Sequence, residues 1–298
     1  MSIQTIKTFG RRIRKILFSK TPTFLILYQL FLRYFPVGSL AHKLSYDAVS
    51  KKPQYAFCMY NAARQALALG YTSITVIEFG VFKGKGLSEM EKIASMIENE
   101  MGISIFTVGF DNASGLPNLE GYKDLSHRWS DALFEMGDPN EAKKIAPKSE
   151  LILGNVKNTV TDLCNKKTLP PVAAAMFDLD LYSSTRDALS LFDVLDESLK
   201  LPRIYCYFDD IIESGEWATC EHVGEALAIN EFNSNHPTIK ICKLPSLYAT
   251  RYVPAPWNEQ IYVCHDFNHP KYSENIRDEL RHIPNMGYIG SENNMVEY

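Results

Sequence analysis

From residue 72 onward, short apolar runs rich in β-branched residues alternate with stretches whose apolar positions recur at helical spacing. "SITVIEFG" (73–80) reads as a strand buried on both faces, and the spacing after it predicts a helix over about 86–101. "SIFTVGFD" (104–111), "SELILGNV" (149–156), "VAAAMFDLD" (172–180) and "RIYCYFDD" (203–210) are the next four strands. Helical patterns separate them in "STRDALSLFDVLDESL" and again in "CEHVGEALAINEF" (220–232). Strands that alternate with helices predict an α/β fold, a mainly parallel sheet with helices on both faces. The rhythm then changes: "TIKICKL" (238–244) and "QIYVCHDF" (260–267) have no helical pattern between them, which predicts an antiparallel pair at one sheet edge. Residues 53–69 read as a helix leading into the first strand.

One segment breaks the alternation. Residues 112–148 are rich in Gly, Pro and Asn with a single helical pattern near 140–146, and a long irregular segment inside a compact domain is usually a binding loop or lid. The chain therefore divides into an N-terminal helical extension (1–70), an α/β domain (71–270) with 112–148 as its lid or insertion, and a tail (271–298).

Charge is unevenly spread. Residues 1–46 hold eight Lys and Arg and no acid, whereas the remainder holds 23 basic and 35 acidic residues. The acidic body excludes nucleic acid as a partner held by phosphate neutralisation. Six scattered cysteines, several inside apolar runs, form no metal or redox pattern and point to a reducing compartment, the cytoplasm. "FLILYQLFLRYF" (24–35), preceded by "RRIRK" (11–15), is too short to span a bilayer and reads less well as a signal peptide than as a packing helix. Its basic, amphipathic character also suits peripheral contact of residues 1–46 with the inner face of a membrane. A homo-oligomer stays open.

The chemistry gathers at strand ends. "VIEFGVFKGKG" (76–86) turns from strand to helix on glycines spaced G-x-x-x-G-x-G, unlike the G-x-G-x-x-G of dinucleotide sites. Glu78 beside that turn suits a cationic amine better than a pyrophosphate, and Asp111 at the end of the second strand suits ribose hydroxyls. Together they suit S-adenosylmethionine. "MFDLDLYSST" and "YCYFDDII" close two further strands with Asp178, Asp180, Asp209 and Asp210. Side chains two apart on a strand share a face, so Asp178 and Asp180 are expected to point the same way. Asp209 and Asp210 converge with them only if the strand ends there. Carboxylates meeting on one rim call for a divalent cation, and oxygen-only ligands favour Mg²⁺, Mn²⁺ or Ca²⁺. Helix capping by Asp210 or Ser183 is the plainer alternative.

"IEFGVFKG", "FDNASGLP", "FDLDLYSST" and "FDDI" followed by "GEALAINEF" resemble the macrocin O-methyltransferase family of class I S-adenosylmethionine-dependent methyltransferases, over roughly 74–265. The resemblance implies a Rossmann-like seven-stranded sheet with an antiparallel edge strand, and Mg²⁺- or Mn²⁺-assisted methylation of a hydroxyl on a sugar or glycan-like acceptor. It implies Asp178, Asp209 and Asp210 as metal ligands and Asp180 as general base, with His127 as the other candidate base. Glu78, Gly80, Gly84, Asp111 and Ser114 would line the cofactor site, with Asn155 where the family often has an acid near the adenine. Leu179 and Lys85 stand where the family tends to have glycine. Within the loop, Tyr122, Arg128 and Trp129 are candidates for contact with the acceptor. A methyltransferase for another small-molecule or lipid-linked acceptor stays open, as does a non-catalytic binding module. A nicotinamide-dependent oxidoreductase is disfavoured by the glycine spacing.

Overall fold

The computed structural model describes residues 22–164, 169–211 and 219–276. Two helices, α1 (Thr23–Tyr34) and α2 (Leu40–Ser45), lead to the long α3 (Pro53–Ala68). The alternation follows: β1 (Ser73–Phe79), α4 (Lys85–Met101), β2 (Ser104–Asp111), α5 (Pro139–Ile145), β3 (Glu150–Leu153), α6 (Val156–Cys164) and β4 (Val172–Phe177). Then come α7 (Tyr182–Leu189), α8 (Leu191–Val194), β5 (Lys200–Phe208), α9 (Gly224–Asn235), β6 (Ile239–Lys243), the single-turn α10 (Leu247–Thr250) and β7 (Ile261–Asp266). Every predicted strand is present, most of them trimmed at their ends. The helix pattern after β4 is divided at Ser190 into α7 and α8.

The sheet is Rossmann-like and runs β3-β2-β1-β4-β5-β7-β6. Strands β1 to β5 are parallel, and β7 pairs antiparallel with both β5 and β6. The antiparallel strand thus lies one place in from the edge, inserted between β5 and β6. The order reverses at β1: the chain winds one way through β2 and β3, then returns to the other side for β4 and β5. Connections leaving neighbouring β1 and β4 diverge there and leave a crevice beyond the strand ends.

Alternate residues of each strand fill two cores. On one face Ile74, Val76, Ala174, Met176 and Tyr207 pack against α3 and α4; on the other Ile77, Ala175, Cys206 and their neighbours pack against α6 to α9. The second core ends in a ladder of four phenylalanines, one per strand, at the strands' C-terminal ends. Register aligns Phe110 with Phe79, Phe79 with Phe177, and Phe177 with Phe208. Successive ring centroids lie 5.0, 5.1 and 4.5 Å apart, nearly parallel in each case. All four rings are buried. Each stacked pair adds about 1 kcal/mol beyond the burial itself.

The residue after each phenylalanine is Gly80, Asp111, Asp178 or Asp209. The ladder therefore sets the level at which these four residues leave the sheet. Phe177 stacks on both sides, and truncating it removes a buried ring from the middle of the row. Phe177→Ala is expected to cost about 3–5 kcal/mol in urea unfolding, whereas Phe106→Ala, 53% exposed on β2, is expected to stay within about 0.5 kcal/mol.

Candidate active site

A cavity of about 690 Å³ opens in the crevice beyond the ends of β1, β2, β4 and β5. Its floor is the set of strand-end residues just described, and one wall is the irregular segment after β2, through Leu116, Pro117, Glu120, Arg128 and Phe134. That segment is not loosely laid over the cleft. Its two limbs pair through Leu116 N–H to Leu133 O (2.8 Å) and Ala132 N–H to Leu116 O (2.9 Å). Buried Asp124 then accepts the Ser183 N–H and hydroxyl, both at 2.8 Å, fastening the segment to the start of α7. Ser183 is thus held by a distant carboxylate rather than capping α7 itself, whose N-cap is Leu181. Across the rim, Arg186 pairs with Glu120 at 3.0 Å.

Glu78 sits at the β1 end of the cavity and is 1% exposed. Tyr55 of α3 donates to its Oε1 at 2.8 Å, and Oε2 has no hydrogen-bond partner. Burial pushes the Glu78 carboxyl up to about 8, against the pull of Lys52 and of the Tyr55 hydrogen bond. An unsatisfied buried carboxylate oxygen is costly, and a cationic donor entering the cavity would satisfy it. The glycines make room for this arrangement. A Cβ on Gly86 would lie 1.7 Å from Glu78 Oε1, and one on Gly80 would lie 1.9 Å from the Asp178 carbonyl oxygen. Gly80 therefore lets the turn after β1 approach the backbone leaving β4. Gly84 is left-handed at the start of α4, packs on Ala142 of α5, and is not part of the cavity lining.

Asp111 binds the turn after β1 directly. Its Oδ2 accepts the N–H groups of Val81 (2.9 Å) and Phe82 (2.8 Å), and Oδ1 accepts that of Ala113 (2.7 Å). Oδ2 thereby uses both of its lone pairs, whereas Oδ1 keeps one, so the group retains acceptor capacity toward the cavity that it lines. Asn155 also lines the cavity, with Oδ1 accepting the Lys157 N–H at the start of α6. Ser114 stands in the turn beyond Asp111, its N–H on Asn112 Oδ1 at 2.9 Å, outside the lining.

At the β4–β5 end, one oxygen each from Asp178, Asp209 and Asp210 lies within 4.8 Å of the others. They converge because β5 stops at Phe208 and Asp209–Ile211 turns as a single 3-10 turn. Their surroundings neutralise them only in part. Lys52 Nζ is 3.4 Å from Asp178 Oδ2, Arg128 is 3.7 Å from Asp210 Oδ1, and the Tyr207 hydroxyl donates to Asp209. Burial and the charge of Asp209 raise the Asp178 carboxyl above the usual range. Glu225, fully buried at the start of α9, accepts the Asp210 N–H at 2.9 Å, and its other oxygen has no partner. Burial and Asp210 raise Glu225 well above an ordinary carboxyl. A donor set of three carboxylates with no nitrogen or sulfur fits a hard divalent cation.

Asp180 departs from the expectation of a shared strand face. Strand β4 stops at Phe177, so neither Asp178 nor Asp180 lies on it, and Asp180 takes a left-handed conformation at φ 61°. Its N–H donates to Asp210 Oδ2 at 3.1 Å, and the residue lines the cavity beside the trio rather than joining it. Of the loop candidates, Arg128 lines the cavity and stacks 3.8 Å over the Trp129 ring, whose edge meets Phe134 at 5.8 Å. Tyr122 and His127 are exposed and, like Trp129, do not line it. Lys52 carries no sequence signal for its role. Tyr55 falls in the helical stretch at 53–69, where packing or contact with the cofactor are both open from sequence, and Glu225 falls in the "GEALAINEF" motif without a signal of what it contacts. Lys52 reaches Asp178 across 126 positions, and Tyr55 reaches Glu78 across 23.

No family model matches the chain, and no curated protein matches it. Among solved structures, the calicheamicin methyltransferase CalS11 superposes with a TM-score of 0.49 at 19% identity, covering 89% of this chain and 93% of that one. The O-methyltransferase NovP gives 0.45 at 13% identity over 72% and 79% of the two chains. An O-methyltransferase from Bacillus cereus in complex with SAH gives 0.43 at 13% identity over 79% and 94%. At these TM-scores and identities the likenesses carry no argument, and the fold and the site are read from their own geometry.

Proposed function

We propose that the chain is an S-adenosylmethionine-dependent O-methyltransferase that acts, with a divalent cation, on a hydroxyl of a sugar or glycan-like acceptor. The observation that carries this reading is the layout of one cavity. A buried carboxylate with an unpartnered oxygen stands at the β1 end, and three converging carboxylates stand at the β4–β5 end. A nicotinamide dinucleotide would instead need its pyrophosphate beside Glu78.

When bound, S-adenosylmethionine supplies an electrophilic methyl group on a sulfonium, and Mg²⁺ or Mn²⁺ supplies positive charge that lowers a hydroxyl's pKa. Glu78 would pair with the ammonium, while Asp111 and Asn155 would accept from the ribose and the adenine. Asp178, Asp209 and Asp210 would hold the cation. Asp180 would take the proton of the acceptor hydroxyl as that oxygen receives the methyl group. Its place in the lining favours Asp180 over the exposed His127. Of the loop candidates, Arg128 alone lines the cavity and would orient the acceptor, with Trp129 stacked beneath its guanidinium and Tyr122 outside the lining.

Glu78 gives cofactor binding a pH signature. A carboxyl raised to about 8 is protonated at neutral pH in the unliganded protein. Pairing with an ammonium needs it ionised, so binding releases a proton below that pH. Calorimetry is expected to show S-adenosylhomocysteine affinity rising between pH 6 and 7.5, by up to about tenfold per unit. Glu78→Gln is expected to bind more weakly and to lose the slope. The same raised pKa makes the unliganded fold lose stability as pH climbs from about 4.5 toward 8, because the unfolded chain gives up the proton first. Tight NAD binding with no S-adenosylhomocysteine binding would overturn the reading.

The carboxylate trio has a separate test. Chelation is expected to abolish methyl transfer and Mg²⁺ to restore it, and Asp209→Asn is expected to remove activity while S-adenosylhomocysteine still binds. If the aspartates only shape the turns, the outcome is instead about 1 kcal/mol of stability lost per substitution with little change in rate.

For the base, Asp180→Asn is the informative change, because Asn is among the few residues that tolerate a left-handed backbone. Turnover is expected to fall by about 10²–10⁴-fold with cofactor and metal binding retained. Unchanged turnover would move proton removal to another group, with His127→Gln as the next variant.

A further inference from the structure

An amphipathic helix ordinarily turns its apolar side to the protein and its polar side to water. Helix α1 does the reverse. Arg33 donates to the carbonyls of Asp47 (2.9 Å) and Ser50 (3.1 Å), and Gln29 donates to Asp47 O at 3.1 Å. The Tyr28 hydroxyl and His42 Nε2 lie 2.9 Å apart, and Leu32 is the helix's buried apolar side chain. The helix is thus fastened to the body by these polar groups together with buried Leu32, half-buried Leu25 and Ile26, and the Tyr28 ring against Tyr46.

Its outward side is apolar. Phe24, Leu27, Phe31 and Tyr34 are 68, 60, 43 and 76% exposed, and their spacing puts them on one helix face. Phe35 and Val37 extend the patch past the helix end, at 53 and 39% exposure. A single exposed phenylalanine needs no explanation, but a contiguous stripe marks a docking surface. Directly before it in the chain stand Lys7, Arg11, Arg12, Arg14, Lys15 and Lys20, with no acidic residue anywhere in 1–46.

We infer that α1 is a membrane-surface anchor whose apolar stripe lies in the headgroup region of an anionic lipid bilayer, with the basic residues that precede it in the sequence engaging the lipid charge. At 12 residues α1 is too short to cross a bilayer, and no helix among the described residues is long and apolar enough to do so. Apolar area and anionic charge are what such a helix reads together. A second copy of the chain suits the stripe less well, because its own residues 1–46 are equally basic and acid-free and offer no charge complement. This inference does not rest on the methyl-transfer reading.

Flotation of the full chain with vesicles tests it. Phosphatidylcholine vesicles containing about 30% phosphatidylglycerol are expected to carry the protein, and pure phosphatidylcholine vesicles are not. Raising the salt should weaken the association, since each basic side chain near the surface contributes about fivefold to the affinity. Leu27→Glu/Phe31→Glu, and the milder Phe31→Ser, are expected to lower partitioning by about tenfold or more. Neither residue lines the cavity, so an unchanged unfolding midpoint and unchanged S-adenosylhomocysteine binding serve as controls. Three outcomes overturn the inference: no flotation of the full chain on anionic vesicles, equal flotation on both lipids, or a double variant that floats as well as the parent. A dimer in ultracentrifugation that the double variant dissolves, with no vesicle binding, would assign the stripe to self-association instead.

Discussion

The row of Phe110, Phe79, Phe177 and Phe208 is the constraint on which the site depends. Stacked rings on four neighbouring strands fix the strands' relative register, and register decides which face each later residue takes. A slip of one residue in β4 would carry Asp178 away from Asp209 and bring the side chain of Phe177 to the opposite face. The apolar ladder thus positions charged groups that would not approach one another unaided. Gly80 belongs to the same device, since the backbone of Asp178 occupies the space where any side chain at 80 would begin.

What the ladder brings together is electrostatically unfavourable. The trio's oxygens lie within 4.8 Å of one another, and two unit charges at that range repel by roughly 3 kcal/mol or more at an effective dielectric near 20. Lys52 and Arg128 offset part of this from the periphery, and raised carboxyl pKa values offset more by holding protons. Glu78 and Glu225 add buried oxygens without partners. The rim is short of positive charge even after the protein's own cations are placed. Such a cavity stabilises an incoming cation more than a neutral or anionic ligand, which makes an amine-bearing sulfonium and a hard metal ion suitable occupants.

The sequence made the sheet legible because each buried strand is a short apolar run closed by Gly or Asp, and those closing residues were also the readable part of the site. The shared face expected of Asp178 and Asp180 is absent for a local reason: the strand ends at Phe177, three residues short of Asp180, which sits in a left-handed turn. The partners of Lys52, Tyr55 and Glu225 are not legible in the sequence, even where Tyr55 and the motif around Glu225 stand out, because those contacts exist only across packed elements. Nothing near Lys52 in the chain signals a carboxylate 126 positions away. The phenylalanines could be read individually as core, but their alignment needs the strand order, which periodicity does not contain. Likewise the helical pattern of α1 was readable, while its orientation depends on Arg33 and Gln29 finding the carbonyls of the turn at 47–50.

The strand order also explains why the two ends of the cavity are chemically distinct. Glu78, Asp111 and the glycine turn belong to β1 and β2 on one side of the reversal, whereas the trio belongs to β4 and β5 on the other. Few side chains join the two ends. Lys52 is one, meeting the Tyr55 hydroxyl at 3.0 Å on the Glu78 side and Asp178 at 3.4 Å on the trio side. Lys52 is thus a basic side chain whose contacts reach both groups of carboxylates, so its single positive charge is shared between the two halves of the cleft.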